Sequence, residues 1–111
     1  LKNRYALAVL YFATGGDSSW RGKDNWLDGE VDECDWEFLT CSEGEVTKIE
    51  IWQQNNDDTY VGNGLIGTLP IEELTILTEL EELGVIRNNK LSGTIDPSIS
   101  SFTNLRKIYL N

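Results

Sequence analysis

The sequence predicts an α/β solenoid, in which a repeated unit contributes one short strand to a parallel sheet. The main observation is an apolar pattern that occurs twice at the same spacings, apart from one extra residue between Leu69 and Leu74 in the first copy. The second is a recurring Gly-containing turn, Leu65 to Pro70, which is answered by Leu91 to Pro97. A unit of roughly 20–30 residues cannot bury its apolar face alone, so such units are expected to stack. The two copies of the pattern are Leu69, Leu74, Leu77, Leu80, Leu83 and Val85, and then Ile95, Ile99, Phe102, Leu105, Ile108 and Leu110.

The spacing between copies predicts which strand residues lie side by side. Leu83 follows Ile49 by 34 residues and precedes Ile108 by 25, and most of the difference is a polar insertion, Gln53 to Gly64. Because side chains two apart on a strand point the same way, these three aliphatic residues are expected to share one interior. A single amphipathic helix through 74–83 is the alternative, which the Gly and Asn punctuation disfavours.

The strand half of the unit, Leu80-x-x-Leu83-x-Val85-x-x-Asn88, and the turn half, Leu91-Ser92-Gly93-Thr94-Ile95, resemble the plant-type leucine-rich repeat family. That unit reads L-x-x-L-x-L-x-x-N-x-L-x-G-x-I-P, and this chain has one residue more between Asn88 and Leu91. The resemblance implies a right-handed superhelix with a short parallel β-sheet on its concave face. It also implies an Asn, here Asn88 or Asn89, whose amide pairs backbone groups of a buried turn.

Residues 1–45 are predicted to form a cap on the amino-terminal end of the repeats. A helix is expected over Leu1–Ala13, with its core-facing stripe at Tyr5, Ala8, Val9 and Phe12. The segment Cys34 to Cys41 resembles the cap of plant-type leucine-rich repeat proteins, a helix followed by a Trp and C-x-W-x-x-x-x-C. The resemblance implies a disulfide between Cys34 and Cys41, with two reduced buried thiols as the alternative.

Residues 46–111 would then contain about two and a half leucine-rich repeats, truncated at the C-terminus. Because the last unit stops within its strand, we expect the chain to be a fragment. Further repeats or a partner chain are expected to cover that end.

Charge and composition restrict the classes of partner. The chain of 111 residues has a net charge of -10, which opposes binding to nucleic acid or to anionic membranes. No stretch approaches the ~20 apolar residues of a membrane span, so no membrane insertion is expected. The acidic run from Asp28 to Glu37 is interpreted as a solvated surface, with a calcium site as the alternative. No metal and no cofactor are predicted, and a disulfide would place the domain outside the cell, as an extracellular or secreted protein, or in another oxidising lumen.

Catalysis has little support in the sequence, which predicts a protein that is not an enzyme. The chain contains no His, which excludes Ser/His/Asp and Cys/His arrangements. Glu50 and Glu82 could in principle flank a glycosidic bond, but an open sheet face excludes little water.

The outward-facing strand positions are the predicted ligand-binding residues. One row across the strands, Lys48, Glu82 and Lys107, alternates between positive and negative charge. These residues could bind a ligand, or they could instead stabilise the sheet by roughly 0.2–1 kcal/mol for each pair. Trp52 and Tyr109 are large apolar groups on a charged face and indicate a binding anchor, although Trp52 could instead fold over the insertion. The predicted concave-face residues are Lys48, Glu50, Trp52, Glu82, Ile86, Lys107 and Tyr109.

The insertion is either a specificity loop, through Asn56, Asp58 and Tyr60, or a tolerated surface excursion. Tyr60 and Val61 are expected to pack back on the edge of the sheet. The resemblance implies an extracellular recognition domain that binds a protein, peptide or glycan through its concave face. The alternatives are a structural subunit packed permanently in a larger assembly, and binding to a lattice such as ice, for which Thr68 and Thr94 give only one Thr pair.

Overall fold

The computed structural model describes residues 2–57, 59–88, 90–92 and 96–110. Within them the chain forms two α-helices, two 3-10 helices and eight short strands. The elements are, in chain order, α1 (Lys2–Ala13), a 3-10 helix (Glu33–Asp35), β1 (Leu39–Ser42), β2 (Glu45–Glu50), β3 (Gln53–Gln54), β4 (Tyr60–Val61), β5 (Ile66–Gly67), α2 (Ile71–Leu74), β6 (Glu82–Gly84), β7 (Lys90–Leu91), a 3-10 helix (Pro97–Ser101) and β8 (Lys107–Tyr109).

The main sheet has the strand order β1-β2-β6-β8. β1 and β2 form an antiparallel hairpin, whereas β2, β6 and β8 are parallel. Ile49 lies opposite Leu83, which lies opposite Ile108, so the predicted strand register is confirmed. The shared interior is confirmed for Ile49 and Leu83, which are fully buried, but Ile108 on the last strand is 38% exposed. The alternative helix through 74–83 is excluded, because β6 begins at Glu82 and α2 ends at Leu74.

The predicted solenoid, with its leucine-rich repeat superhelix, is wrong. The described residues form a compact domain with extents of 34 × 34 × 25 Å, and its radius of gyration of 13.1 Å is that of an ordinary globule, about 13 Å at this length. The physical reason is that the repeated strands are few and short. α1 and the aromatic segment that follows it close over the sheet and share one hydrophobic core with it. β3–β4 and β5–β7 form two further separate pairs beside the mixed four-stranded sheet.

The buried face of α1 also differs from the prediction. Tyr5 and Phe12 are 57% and 61% exposed, and the residues that enter the core are Ala6, Leu7, Leu10 and Tyr11. Tyr11 turns inward because its ring packs against two tryptophans, with centroids 5.1 Å from Trp20 and 6.0 Å from Trp26. Phe12 meets only the edge of the Tyr11 ring among the described aromatic contacts, at 5.3 Å between centroids, and stays on the surface.

The tryptophans of the first 45 residues form a continuous buried cluster. Ring centroids are 4.8 Å apart between Trp20 and Trp26, and 5.1 Å apart between Trp26 and Trp36. Each indole N–H has an acceptor, since Trp20 donates to Thr14, Trp26 to the Glu37 carbonyl and Trp36 to the Val31 carbonyl. The large apolar rings are therefore buried without leaving a polar group unpaired.

The predicted disulfide between Cys34 and Cys41 is confirmed. It joins the 3-10 helix to β1, and the Cα atoms of the two cysteines are 5.6 Å apart. The bond fits an oxidising environment. None of the helices in the described part of the chain is long and apolar enough to span a bilayer.

The side chain of Asn88 joins three segments at the end of the parallel strands. Its Oδ1 accepts hydrogen bonds from the backbone N–H groups of Asn63 and Leu65, at 2.9 and 3.0 Å. Its Nδ2 donates toward the carbonyl oxygens of Ile51, Val85 and Ile86, at 2.8 to 3.2 Å. Asn88 therefore fills the turn-pairing role expected of Asn88 or Asn89. Asn89 lies outside the described residues.

Replacing Asn88 with Ala should lower the free energy of unfolding by about 3–4 kcal/mol, because the buried N–H groups of Asn63 and Leu65 lose the side-chain acceptor that they share. Urea denaturation measures the change. Asn104→Ala is the matched control, since that exposed amide makes a single hydrogen bond, to the Thr78 carbonyl. Equal destabilisation by the two substitutions would contradict the role of Asn88.

Removing the disulfide with the double substitution Cys34→Ser and Cys41→Ser should lower the free energy of unfolding by about 2–3 kcal/mol, through the restored freedom of the unfolded loop. Thermal unfolding with and without a reductant gives the measurement. The reductant should shift the Tm of the wild type toward that of the double variant and leave the variant unchanged. An unchanged wild-type Tm after verified reduction would show that the bond contributes nothing.

Candidate functional site

The outward residues of the three parallel strands form one surface, which we call the sheet face. The register places Lys48 opposite Glu82 and Glu82 opposite Lys107, and it places Glu50 opposite Gly84 and Gly84 opposite Tyr109. Trp52 and Ile86 follow the ends of β2 and β6, where backbone pairing continues from Ile51 N–H to the Gly84 carbonyl. The structure thus brings the predicted binding residues together on one side of the sheet, namely Lys48, Glu50, Trp52, Glu82, Ile86, Lys107 and Tyr109.

Part of the charged row of the sheet face, which consists of Lys48, Glu82 and Lys107, stabilises the sheet. Lys48 Nζ lies 3.3 Å from Glu82 Oε2, and Glu82 is 8% exposed as a residue. A carboxylate this buried needs a cationic partner to offset its desolvation. Lys107 is paired with Glu82 in the backbone register but remains exposed. The Lys48–Glu82 pair therefore supports the structural interpretation of this row, and Lys107 remains accessible to a ligand.

Gly84 allows two aromatic rings to close over the middle strand. A Cβ atom placed on Gly84 would lie 2.8 Å from Cζ3 of Trp52 and 3.3 Å from Cδ2 of Tyr109. Both rings therefore occupy the space that a side chain at this position would fill. Gly84 is absent from the predicted site residues, although a Gly inside a strand is a recognised signal of close approach by another group.

The insertion contributes one residue to the sheet face. β3 and β4 pair as an antiparallel hairpin, which places Gln54 opposite Tyr60. The ring of Tyr60 meets that of Trp52 edge-on, with centroids 6.3 Å apart, as expected for packing back on the sheet edge. Trp52 is half-buried, so it both supports the insertion and presents part of its ring to solvent.

The other two predicted loop residues do not join the sheet face. Asn56 is exposed in the turn between β3 and β4, and Asp58 lies outside the described residues. The turn is held by Asp57, whose Oδ1 accepts from the backbone N–H and the hydroxyl of Thr59. These hydrogen bonds lower the pKa of the Asp57 carboxyl, because they stabilise its charged form.

The sheet face offers recognition groups rather than an enclosed reaction site. Tyr109 is 44% exposed and Tyr60 is 46% exposed, and both border the partly accessible ring of Trp52. Glu50 and Lys107 add one charge of each sign beside the rings. In the part of the chain that the structure describes, no group of three or more acidic or cysteine side chains is arranged to hold a metal ion.

No protein-family model and no curated protein matches the chain. Among solved structures, the chain is similar to the crystal structure of a plant ice-binding protein, with a TM-score of 0.69 and 20% sequence identity. The match covers 96% of this chain and 31% of that one, so the chain spans about a third of the length of the protein it matches. At this identity the likeness shows the fold alone.

Proposed function

We propose that this chain is a non-catalytic recognition domain that binds a protein or peptide ligand through the sheet face. The observation that supports this function best is the pair of rings, Trp52 and Tyr109, packed over the bare backbone of Gly84. Aromatic side chains supply large contact areas at a low cost in side-chain entropy and dominate the energetics of protein interfaces. A glycan that stacks on the same rings is the competing ligand class.

Charge favours a basic or neutral ligand. The chain has a net charge of -10, so its field repels other acidic surfaces. Near the rings, Glu50 offers an acceptor to a cationic side chain, and Lys107 can pair with a carboxylate or chain terminus. We therefore expect association with a basic peptide to slow as salt is added, since screening weakens the long-range attraction.

We propose that the domain works in an extracellular or secreted setting. The Cys34–Cys41 bond supports an oxidising compartment, because cytosolic reductants keep most thiols reduced.

A structural role in a larger assembly is the second candidate function. It is favoured by Ile108, an aliphatic side chain of β8 that is 38% exposed. Ile108→Lys should separate the two functions, because it would disrupt an assembly at that edge and leave the sheet face in place.

Ice binding is the function named for the similar solved structure, and it makes different demands. A lattice is matched by a flat array of regularly spaced small polar groups, whereas the sheet face presents two rings and charges of both signs. Of the Thr pair considered for this purpose, Thr68 is exposed and Thr94 lies outside the described residues. Thermal hysteresis of the wild-type protein tests this function directly, and a clear signal would replace the peptide-binding proposal.

Substituting Trp52 or Tyr109 with Ala should weaken peptide binding by about tenfold or more, the loss typical of a central aromatic anchor. Peptides selected from a random library on the wild-type protein serve as ligands, and isothermal titration gives their affinities. Phe12→Ala is the matched control, because Phe12 is an exposed aromatic residue on α1, away from the sheet. Affinities that respond to Phe12→Ala as strongly as to the sheet-face substitutions would refute the site.

Gly84→Ala should weaken binding of the same peptides by about three- to tenfold, because its Cβ atom forces the Trp52 ring out of its position. A change in the near-ultraviolet circular dichroism of the aromatic residues should accompany the loss. Gly29→Ala is the control, since a Cβ atom at Gly29 would meet nothing within 4 Å. Unchanged affinity together with a displaced ring would show that the ring's position does not matter for binding.

A further inference from the structure

A cavity of about 500 Å³ lies beyond the carboxyl ends of the parallel strands and shares Tyr60 with the edge of the sheet face. Its walls come from the segment after α1, from the end of the insertion and from the turn after β6. The half-buried Val61 and the exposed Tyr60 provide apolar surface, and the fully buried Leu65 lies behind them. Three cationic residues complete the lining, Arg21, Arg87 and Lys90. The volume is in the range of small-molecule sites, about 300–1,000 Å³.

The charge of this cavity is opposite to that of the chain. The sequence has nine basic and nineteen acidic residues, yet three of the nine line one cavity and no carboxylate is among its described lining residues. The described ion pairs are formed by Arg4, Lys48 and Arg106. Arg21, Arg87 and Lys90 make no ion pair with any described residue. The three residues are exposed, and an anion bound between them would lower the repulsion among their like charges.

The backbone around Arg87 holds its position at some cost in strain. Arg87 has a φ of 57°, in the left-handed region that suits Gly better than Arg. Its carbonyl oxygen contacts Gly62, where a Cβ atom would lie 2.0 Å away. The Asn88 amide fixes the same turn to Asn63 and Leu65. These contacts hold the turn that carries Arg87 against the segment that follows the insertion.

We propose that this cavity binds a small ligand through a tetrahedral oxyanion, a phosphate or sulfate ester group. Guanidinium groups match such oxygens in a bidentate manner, and Lys90 adds a third positive charge. The partly exposed side chain of Val61 and the ring of Tyr60 suit the organic part of the ester. The cavity and the sheet face share Tyr60, but the cationic residues of the cavity are not those of the sheet face, so the anion contacts do not depend on the peptide-binding function.

Titration of the ¹⁵N-labelled protein with inorganic phosphate, and separately with inorganic sulfate, tests the site at constant ionic strength. We expect saturable shifts of the Asn63 and Leu65 amide signals, because both N–H groups lie in the cavity wall or beside it. Arg21→Gln should weaken the binding of the anion by about tenfold. Lys2→Gln is the control for loss of one positive charge, since Lys2 is exposed on α1, and its affinity should equal that of the wild type.

Arg87→Gly separates binding from folding. Gly accepts a φ of 57° without strain, so the Tm should stay the same or rise while the anion affinity falls about tenfold. Glu43→Gly relieves a similar strain, at a φ of 52°, in the β1–β2 turn, and it should leave the anion affinity unchanged. Preference for phosphate or for sulfate would identify the ester. Linear shifts without saturation, or an Arg87→Gly variant that binds as well as the wild type, would overturn the proposal.

Discussion

The rest of the structure depends on one constraint, which is that the buried backbone groups at the ends of β2 and β6 must find hydrogen-bond partners. The side-chain amide of Asn88 supplies those partners. Asn88 is 5% exposed and connects the end of each strand to the segment that returns from the insertion. Without it, the N–H groups of Asn63 and Leu65 would be buried without acceptors, which is costly in a low-dielectric interior. The same contact sets the position of β6 in the sheet and of the turn that carries Arg87. The sheet face and the cationic cavity therefore share one anchor.

The sequence predicted the register of Lys48, Glu82 and Lys107 because the apolar pattern recurs at matching intervals along the chain. The cysteine pair came from the resemblance to the leucine-rich repeat family. The role of Asn88 came from that resemblance and from the need to pair the backbone groups of a buried turn. The predicted solenoid was wrong because a repeating pattern shows which residues are equivalent, but it does not show whether another segment covers the core after a few units. In this chain the rings of Trp20, Trp26 and Trp36 cover it.

The other wrong or missing predictions concern which side chains of α1 enter the core and which distant residues lie side by side. Any helical stripe of α1 can be buried, and the choice of Leu7 and Leu10 over Tyr5 and Phe12 depends on where the tryptophans lie in space. Gly84 and the three cations of the cavity were missed for a related reason. Their importance arises from neighbours 20 to 60 residues away, such as Trp52 above Gly84 and Gly62 against Arg87, which no local pattern contains.

The tryptophans are divided in a way that has an optical consequence. Three of the four lie in the cluster around Tyr11, where Trp20 and Trp26 meet at an interplanar angle of 77°, whereas Trp52 lies on the sheet face beside Tyr60. Transition dipoles at such short separation and oblique angle couple as excitons and give a circular dichroism couplet. Loss of that couplet reports melting of the amino-terminal half, while fluorescence quenching by an added acrylamide probe is dominated by the accessible indole of Trp52. The chain thus carries two native spectroscopic reporters that follow different parts of one domain without any label.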